Sequence, residues 1–129
     1  MKKVTGIGGI FFKSKDPEKM KAWYGQNLGI EAGKYGFNFT WYTDPVSGTE
    51  GTTTWAPFDQ RSDYFNPSQK EFMINYRVEN LEELVKELEA SGIAMLDKIE
   101  VYPYGKFVHF LDPEGNKIEL WEPVESPKH

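Results

Sequence analysis

An imidazole and a carboxylate sit ten positions apart near the end of this chain. Residues 104–123 read YGKFVHFLDPEGNKIELWEP, with His109 on one strand-like run and Glu119 on the next. Asp112, Pro113 and Gly115 between them read as a turn. A turn there sets positions 109 and 119 opposite each other. Cross-strand partners share a face, with Cβ atoms about 4.5–5.5 Å apart. An imidazole beside a carboxylate suits general acid/base work, because the carboxylate fixes the tautomer. The same pair also suits a purely structural hydrogen bond between two half-buried polar groups. On the residues alone, both readings stay open.

Size and composition narrow the setting. A chain of 129 residues reads as one compact unit, long enough to bury a core without covalent staples. It contains no cysteine, which excludes a disulfide framework, cysteine-ligated zinc and a cysteine nucleophile. The net charge is −5 and only two residues, Arg61 and Arg77, are arginine. No clustered basic face emerges, so nucleic acid is not an expected partner. The start, MKKVTGIGGIFF, is too short and glycine-rich in its apolar run for a signal peptide. No run approaches the roughly 20 apolar residues of a membrane span. A soluble, cytoplasmic protein is expected. Aromatic residues reach 16%, with four Trp, enough for a core or for a pocket that takes a flat or apolar ligand.

Two helices must position the strands. In KDPEKMKAWYGQNLGI, Asp16 suits the N-cap, Pro17 the first turn and Gly29 the left-handed C-terminal position. Met20, Trp23, Tyr24 and Leu28 share a face. In ENLEELVKELEASGI, Asn80 and Glu83 read as a capping box, and Leu81, Leu84, Val85 and Leu88 as the apolar stripe. Strand-like runs, GIGGIFFKS and EFMINYRV, precede them. The segments after the two helices also match: FTWYTDP (39–45) with FVHFLDP (107–113), and TTWAP (53–57) with ELWEP (119–123). The offset is 64 from Asp16 to Asn80, 68 from Asp44 to Asp112 and 66 from Trp55 to Trp121. The chain therefore reads as a repeat over 1–58, a polar linker over 59–70 and a second repeat over 71–123. Each copy runs strand, helix, strand, strand, strand. Each unit is expected to be antiparallel and four-stranded, and one helix covers only one face of it, so two units must cooperate.

The duplicated βαβββ pattern, together with the motifs KDPEKMKAWYGQNLGI and FLDPEGNKIELWEP, resembles the vicinal-oxygen-chelate superfamily. That group includes glyoxalase I, bleomycin- and fosfomycin-resistance proteins and extradiol dioxygenases. The resemblance covers nearly the whole chain. It implies an α+β fold whose two βαβββ repeats form an eight-stranded, cup-shaped sheet, often in a homodimer. It does not fix the function, because such members range from metal enzymes to metal-free drug-binding proteins. It implies a glyoxalase- or dioxygenase-like protein that acts on or binds a small carbonyl or aromatic compound. The alternative is a metal-free sequestering protein of the bleomycin-resistance type.

The resemblance also implies where a divalent metal would sit, on the first and last strands of each copy. Those positions fall near Gly9 and Met73, and at Thr53 and Glu119. Only Glu119 is a competent ligand, with Glu71 the nearest other carboxylate. No cofactor is expected with a full ligand set, and a divalent metal held through Glu119 stays as the alternative. The position of His109 resembles that of an active-site tyrosine in extradiol dioxygenases. His109 and Glu119 are thus the expected catalytic pair. Trp41 and Thr53, their copy-one counterparts, are expected to line the ligand site with Trp55 and Met73. Residues 61–67, RSDYFNP, read as a connector or as a lid. GIGG (6–9) lacks the signature of a phosphate loop, and its glycines suit close strand packing. His129 reads as a loose C-terminal residue.

Overall fold

The computed structural model describes residues 3–42, 46, 48 and 50–124. The matched turn at Asp44–Pro45 and the terminal His129 lie outside them. The elements run β1 (Val4–Ser14), α1 (Pro17–Leu28), β2 (Phe37–Tyr42), β3 (Glu50–Asp59), β4 (Phe72–Val78), α2 (Leu81–Ala90), β5 (Glu100–Tyr102), β6 (Gly105–Leu111) and β7 (Lys117–Pro123). They form one mixed sheet in the order β2-β3-β1-β4-β7-β6-β5. The fold is α+β. Among the described residues, no helix is long and apolar enough to cross a membrane.

The two halves repeat the same pairing, which is mixed and not the antiparallel one expected, because a helix crossover brings the first and last strands of each copy side by side in the same direction. β1 runs parallel to β3, which is antiparallel to β2. β4 runs parallel to β7, which is antiparallel to β6. The halves join through the antiparallel pair β1–β4, so both walls of the cup come from one chain. The strand count corrects the expectation: among the described residues seven strands form, not eight. Copy two places β5 after its helix, whereas copy one has only an isolated bridge, Gly33 to Gly36, at that point. Gly29, Gly33 and Gly36 crowd this stretch, and Gly36 takes φ 102, outside the extended region. Glycine is a poor strand former.

The caps differ between the helices. Asp16 Oδ1 accepts from Lys19 N at 3.1 Å, and Gly29 closes α1 at φ 74. The capping box expected at Asn80 does not form, since Asn80 adopts φ 51 and makes no side-chain cap bond. Glu122 of β7 takes that role, accepting from Leu81 N at 2.7 Å. A tertiary carboxylate thus replaces the local one, ties α2 to the last strand and suits the positive end of the helix. Leu81 and Leu84 of α2 join Val78, Val108, Phe110 and Leu120 in the buried core. In contrast, α1 buries none of its residues fully, and Trp23 and Leu28 stand 54% and 62% exposed.

Candidate functional site

Asp112 closes the β6–β7 turn by accepting from the backbone N–H groups of Glu114 and Asn116, each at 2.9 Å. That turn fixes the register, which pairs His109 with Glu119. His109 Nε2 lies 2.7 Å from Glu119 Oε2. The other ring nitrogen, Nδ1, lies 2.7 Å from Asp97 Oδ2. Asp97 also accepts from the His109 backbone N–H at 2.8 Å, so it holds both ring and main chain. Two carboxylates facing the two ring nitrogens are both satisfied only when both nitrogens donate, that is, when the ring is protonated.

Glu119 is equally committed. Its Oε1 accepts from Asn75 Nδ2 at 2.6 Å, and its Oε2 accepts from the Tyr64 hydroxyl as well as from His109. Asn75 reaches it because β4 and β7 pair Asn75 with Glu119. Tyr64 comes from the linker, whose backbone is tethered by Lys117 Nζ donating to Tyr64 O at 2.6 Å. Phe65 beside it is fully buried against Phe58. The linker therefore covers this part of the cup. His109 and Glu119 are 3% and 2% exposed, while Tyr64, the outward member of the network, is 39% exposed.

The electrostatics arise from these partners. Burial by itself would lower the His109 pKa, yet the hydrogen bonds and charges of Glu119 and Asp97 outweigh it and raise the pKa above the ordinary histidine value. Burial first, then the charge and hydrogen bond of Glu119, push the Tyr64 phenol far above its usual range. Tyr64 is thus a neutral donor at every physiological pH. Chemically, the cluster is a closed relay, Tyr64–Glu119–His109–Asp97, that presents one phenol outward. A substrate would meet His109 or Glu119 only after Tyr64 had moved.

The remaining expected residues lie away from the relay, and Trp55 lies outside the cup. Met73 is fully buried and pairs across the sheet with Phe11. Trp55 packs on Phe12 and on Tyr24 of α1, with centroids 5.4 and 4.8 Å apart, so it lies on the helix side. Trp41 Nε1 donates to Thr53 Oγ1 at 2.8 Å, and its ring lies over Gly6 and Gly51. Thr53 donates in turn to Ile7 O. Gly9 pairs with Asn75 and carries no donor. The positions that a metal of this superfamily would use are therefore a glycine, a buried thioether, a threonine bonded to its own sheet and a carboxylate filled by three protein donors. These residues do not fit a divalent ion, which needs about three converging N or O donors. No group of at least three His, Cys, Asp or Glu suited to a metal occurs among the described residues.

A cleft of about 500 Å³ opens beside β3, lined by Phe11, Ala56, Phe58, Tyr35 and Tyr104 among others. That volume falls within the roughly 300–1,000 Å³ of small-molecule sites. Phe58 stacks on Tyr64 at 5.8 Å, which joins the cleft wall to the relay. A larger groove of about 810 Å³ lies between α1 and residues 30–34. Its lining includes Glu18, Gln26, Glu31 and Lys34 and no member of the relay, so it reads as solvated surface.

A βαββ unit and a βαβββ unit joined edge to edge in one mixed sheet define the class of protein. A family model, the Glyoxalase/Bleomycin resistance protein/Dioxygenase superfamily, matches residues 6–120, and the chain belongs to that superfamily. No curated protein matches the sequence. Among solved structures, a variant of Streptomyces coelicolor methylmalonyl-CoA epimerase in complex with 2-nitronate-propionyl-CoA is similar at 15% identity and a TM-score of 0.67. The match covers 95% of this chain and 99% of that one. A superfamily member from Vibrio splendidus 12B01 is similar at 15% identity and a TM-score of 0.58, covering 90% of this chain and 97% of that one. At such identities the likeness speaks to fold alone.

Tyr64, Asp97 and Asn75 escape a reading of the sequence. Asp97 lies in a segment without periodicity, and Tyr64 in the linker. Asn75 carries a signal: alternation from Met73 puts positions 73, 75 and 77 on one face of β4. The position implied by the superfamily falls at Met73, two residues short of the one that pairs with Glu119.

Proposed function

We propose that this chain binds a small, flat organic molecule in its cup, without the divalent metal of the superfamily's enzymes. The two copies, 1–58 and 71–123, form the two walls, and the linker 59–70 covers the floor. One observation carries the reading: both oxygens of Glu119 are taken by Asn75, Tyr64 and His109. The best ligand position is thereby spent on the fold, while aromatic walls stay available at Phe11, Phe58 and Tyr104. Elemental analysis of purified protein should give far less than one equivalent of zinc, nickel, iron or manganese. A thermal-shift screen should show stabilisation by small aromatic compounds and none by these metals. A full equivalent of metal that disappears in Glu119→Ala would restore the metal-enzyme reading.

The second reading is an enzyme that uses His109 and Glu119 as acid and base. The relay that ends at the outward Tyr64 hydroxyl favours it. Turnover of a bound carbonyl compound that is lost in His109→Phe, with binding kept, would select this reading.

We also propose a homodimer. β1 is an inner strand of the sheet, yet Ile7 and Ile10 are 43% and 42% exposed, and Phe39, Phe72 and Trp23 are also exposed. So much exposed apolar surface is unusual for a monomer, and a second copy would cover it. Sedimentation equilibrium should give twice the chain mass. A clean monomer at micromolar concentration would exclude the pairing.

A further inference from the structure

Of the two arginines, Arg61 is paired on the surface with Asp59. Arg77 is different. It is half-buried on β4, and among the described residues its guanidinium meets no carboxylate and no hydrogen-bond acceptor. Its Cζ instead lies 5.1 Å from the ring of Trp121 and 5.5 Å from the ring of Trp41. Trp121 approaches from the β7 side and Trp41 from the β2 side. The row continues outward: Phe107 stacks on Trp121 at 5.9 Å with 5° between planes, and Tyr104 and Tyr102 come next. One cation thus stands in a row of rings across the cup, in a protein whose net charge is −5.

Cation–π contacts use the faces of the rings and leave the five in-plane N–H donors of a guanidinium unused. Those donors form a rigid fork that fits a carboxylate with two parallel bonds. Burial without an acceptor is unfavourable, and desolvation lowers the Arg77 pKa for that reason. If the position served packing alone, an apolar side chain would fill it at lower cost. The strand pairing fixes the setting. Asn75 faces Glu119, and Arg77 faces Trp121, one pleat further along the same strands.

Resting on the binding reading above, we propose that Arg77 anchors the carboxylate of a flat aromatic acid, whose ring stacks on the row formed by Trp41, Trp121 and Phe107. The fork takes the carboxylate, and the rings take the body of the ligand. A neutral molecule of the same shape keeps the stacking and loses the fork.

Benzoate and benzamide are the matched probes, compared at constant ionic strength by quenching of tryptophan fluorescence, since Trp41 and Trp121 flank the site. Benzoate should bind wild-type protein about tenfold or more tightly than benzamide, the scale of a hydrogen-bonded charge pair. Arg77→Met should abolish that preference while benzamide binding changes little, and Arg77→Lys should retain only part of it. Equal binding of the two probes to the wild type would overturn the carboxylate site and leave the aromatic cup intact. Unchanged benzoate preference in a folded Arg77→Met would overturn it as well. Failure of both probes to bind the wild type would overturn this proposal together with the binding reading.

Discussion

Replacing Glu119 with alanine is expected to lower the unfolding free energy by about 3–5 kcal/mol, the usual result of removing one partner from a buried charge pair. The reason lies in what the carboxylate leaves behind. His109 stays 3% exposed with only Asp97 to balance its charge, and Asn75 Nδ2 and the Tyr64 hydroxyl lose their acceptor. Urea unfolding measures the loss. A change below about 1 kcal/mol would be that of an exposed pair and would mean the relay opens to water.

The same position should govern the pH dependence. The folded pKa of His109 lies above the unfolded value near 6.5. Between those two values the native state binds more protons than the unfolded chain, so stability falls as pH rises. The contribution of His109 is fully present below the unfolded pKa and is lost as pH passes through the folded one. Glu119→Gln removes the negative charge at Nε2, so burial counts for more and the His109 pKa falls. Wild-type protein should therefore lose stability as pH rises above the ordinary histidine value near 6.5, and Glu119→Gln should lose less. NMR titration of the imidazole gives the same answer directly.

The contrast between the hairpin and its surroundings shows what a sequence of this kind reveals. The pairing of His109 with Glu119 comes from a period of two and a tight turn, both local. The likeness of the two halves comes from the repeat, but the parallel pairing of β1 with β3 and of β4 with β7 does not show in it, since the strands that pair are separated by a helix and others. Asp97 and Tyr64 reach the pair across 12 and 55 residues, and nothing local distinguishes them from other surface Asp and Tyr. The capping box fails for a related reason. Asn80 and Glu83 have the right spacing, but Glu122 of β7 is close enough to cap α2, and tertiary contact overrides the local signal. The eighth strand fails because three glycines outweigh the symmetry of the repeat. Trp41 and Trp55 look alike as candidates for the cup. Only the sheet shows that Trp55 belongs with α1 and Trp41 with Arg77.

Gly8 is where the glycine run of β1 meets the relay, and Gly8→Ala is expected to be nearly as damaging as the loss of Glu119. The sheet register shifts between Ile7 and Gly9, which puts Gly8 at an irregular position facing β4. A Cβ built there would overlap Asn75 Oδ1 outright and would stand 2.9 Å from Trp121 Cε3 and 3.0 Å from Arg77 Cγ. Asn75 is 2% exposed and cannot swing aside, because its Nδ2 is held by Glu119 at 2.6 Å. Reversing the amide would set its oxygen against the carboxylate. Its Oδ1 has no conventional hydrogen-bond partner among the described residues and packs against the bare Gly8 backbone instead. The methyl group must therefore break the Asn75–Glu119 bond. Overpacking costs about 1–3 kcal/mol. A lost bond to a charged group adds about 1.5–3 kcal/mol. Urea unfolding should show a loss of about 3 kcal/mol or more from the two together. Gly33→Ala is the control, since nothing stands within 4 Å of its Cβ position, and it should change little. A double-mutant cycle locates the cause. In an Asn75→Ala background the penalty of Gly8→Ala should shrink by about half, because the obstructing oxygen and the bond it strains are both gone. An undiminished penalty would move the clash to Trp121 and Arg77 and would place Gly8 beneath the aromatic row instead of the relay.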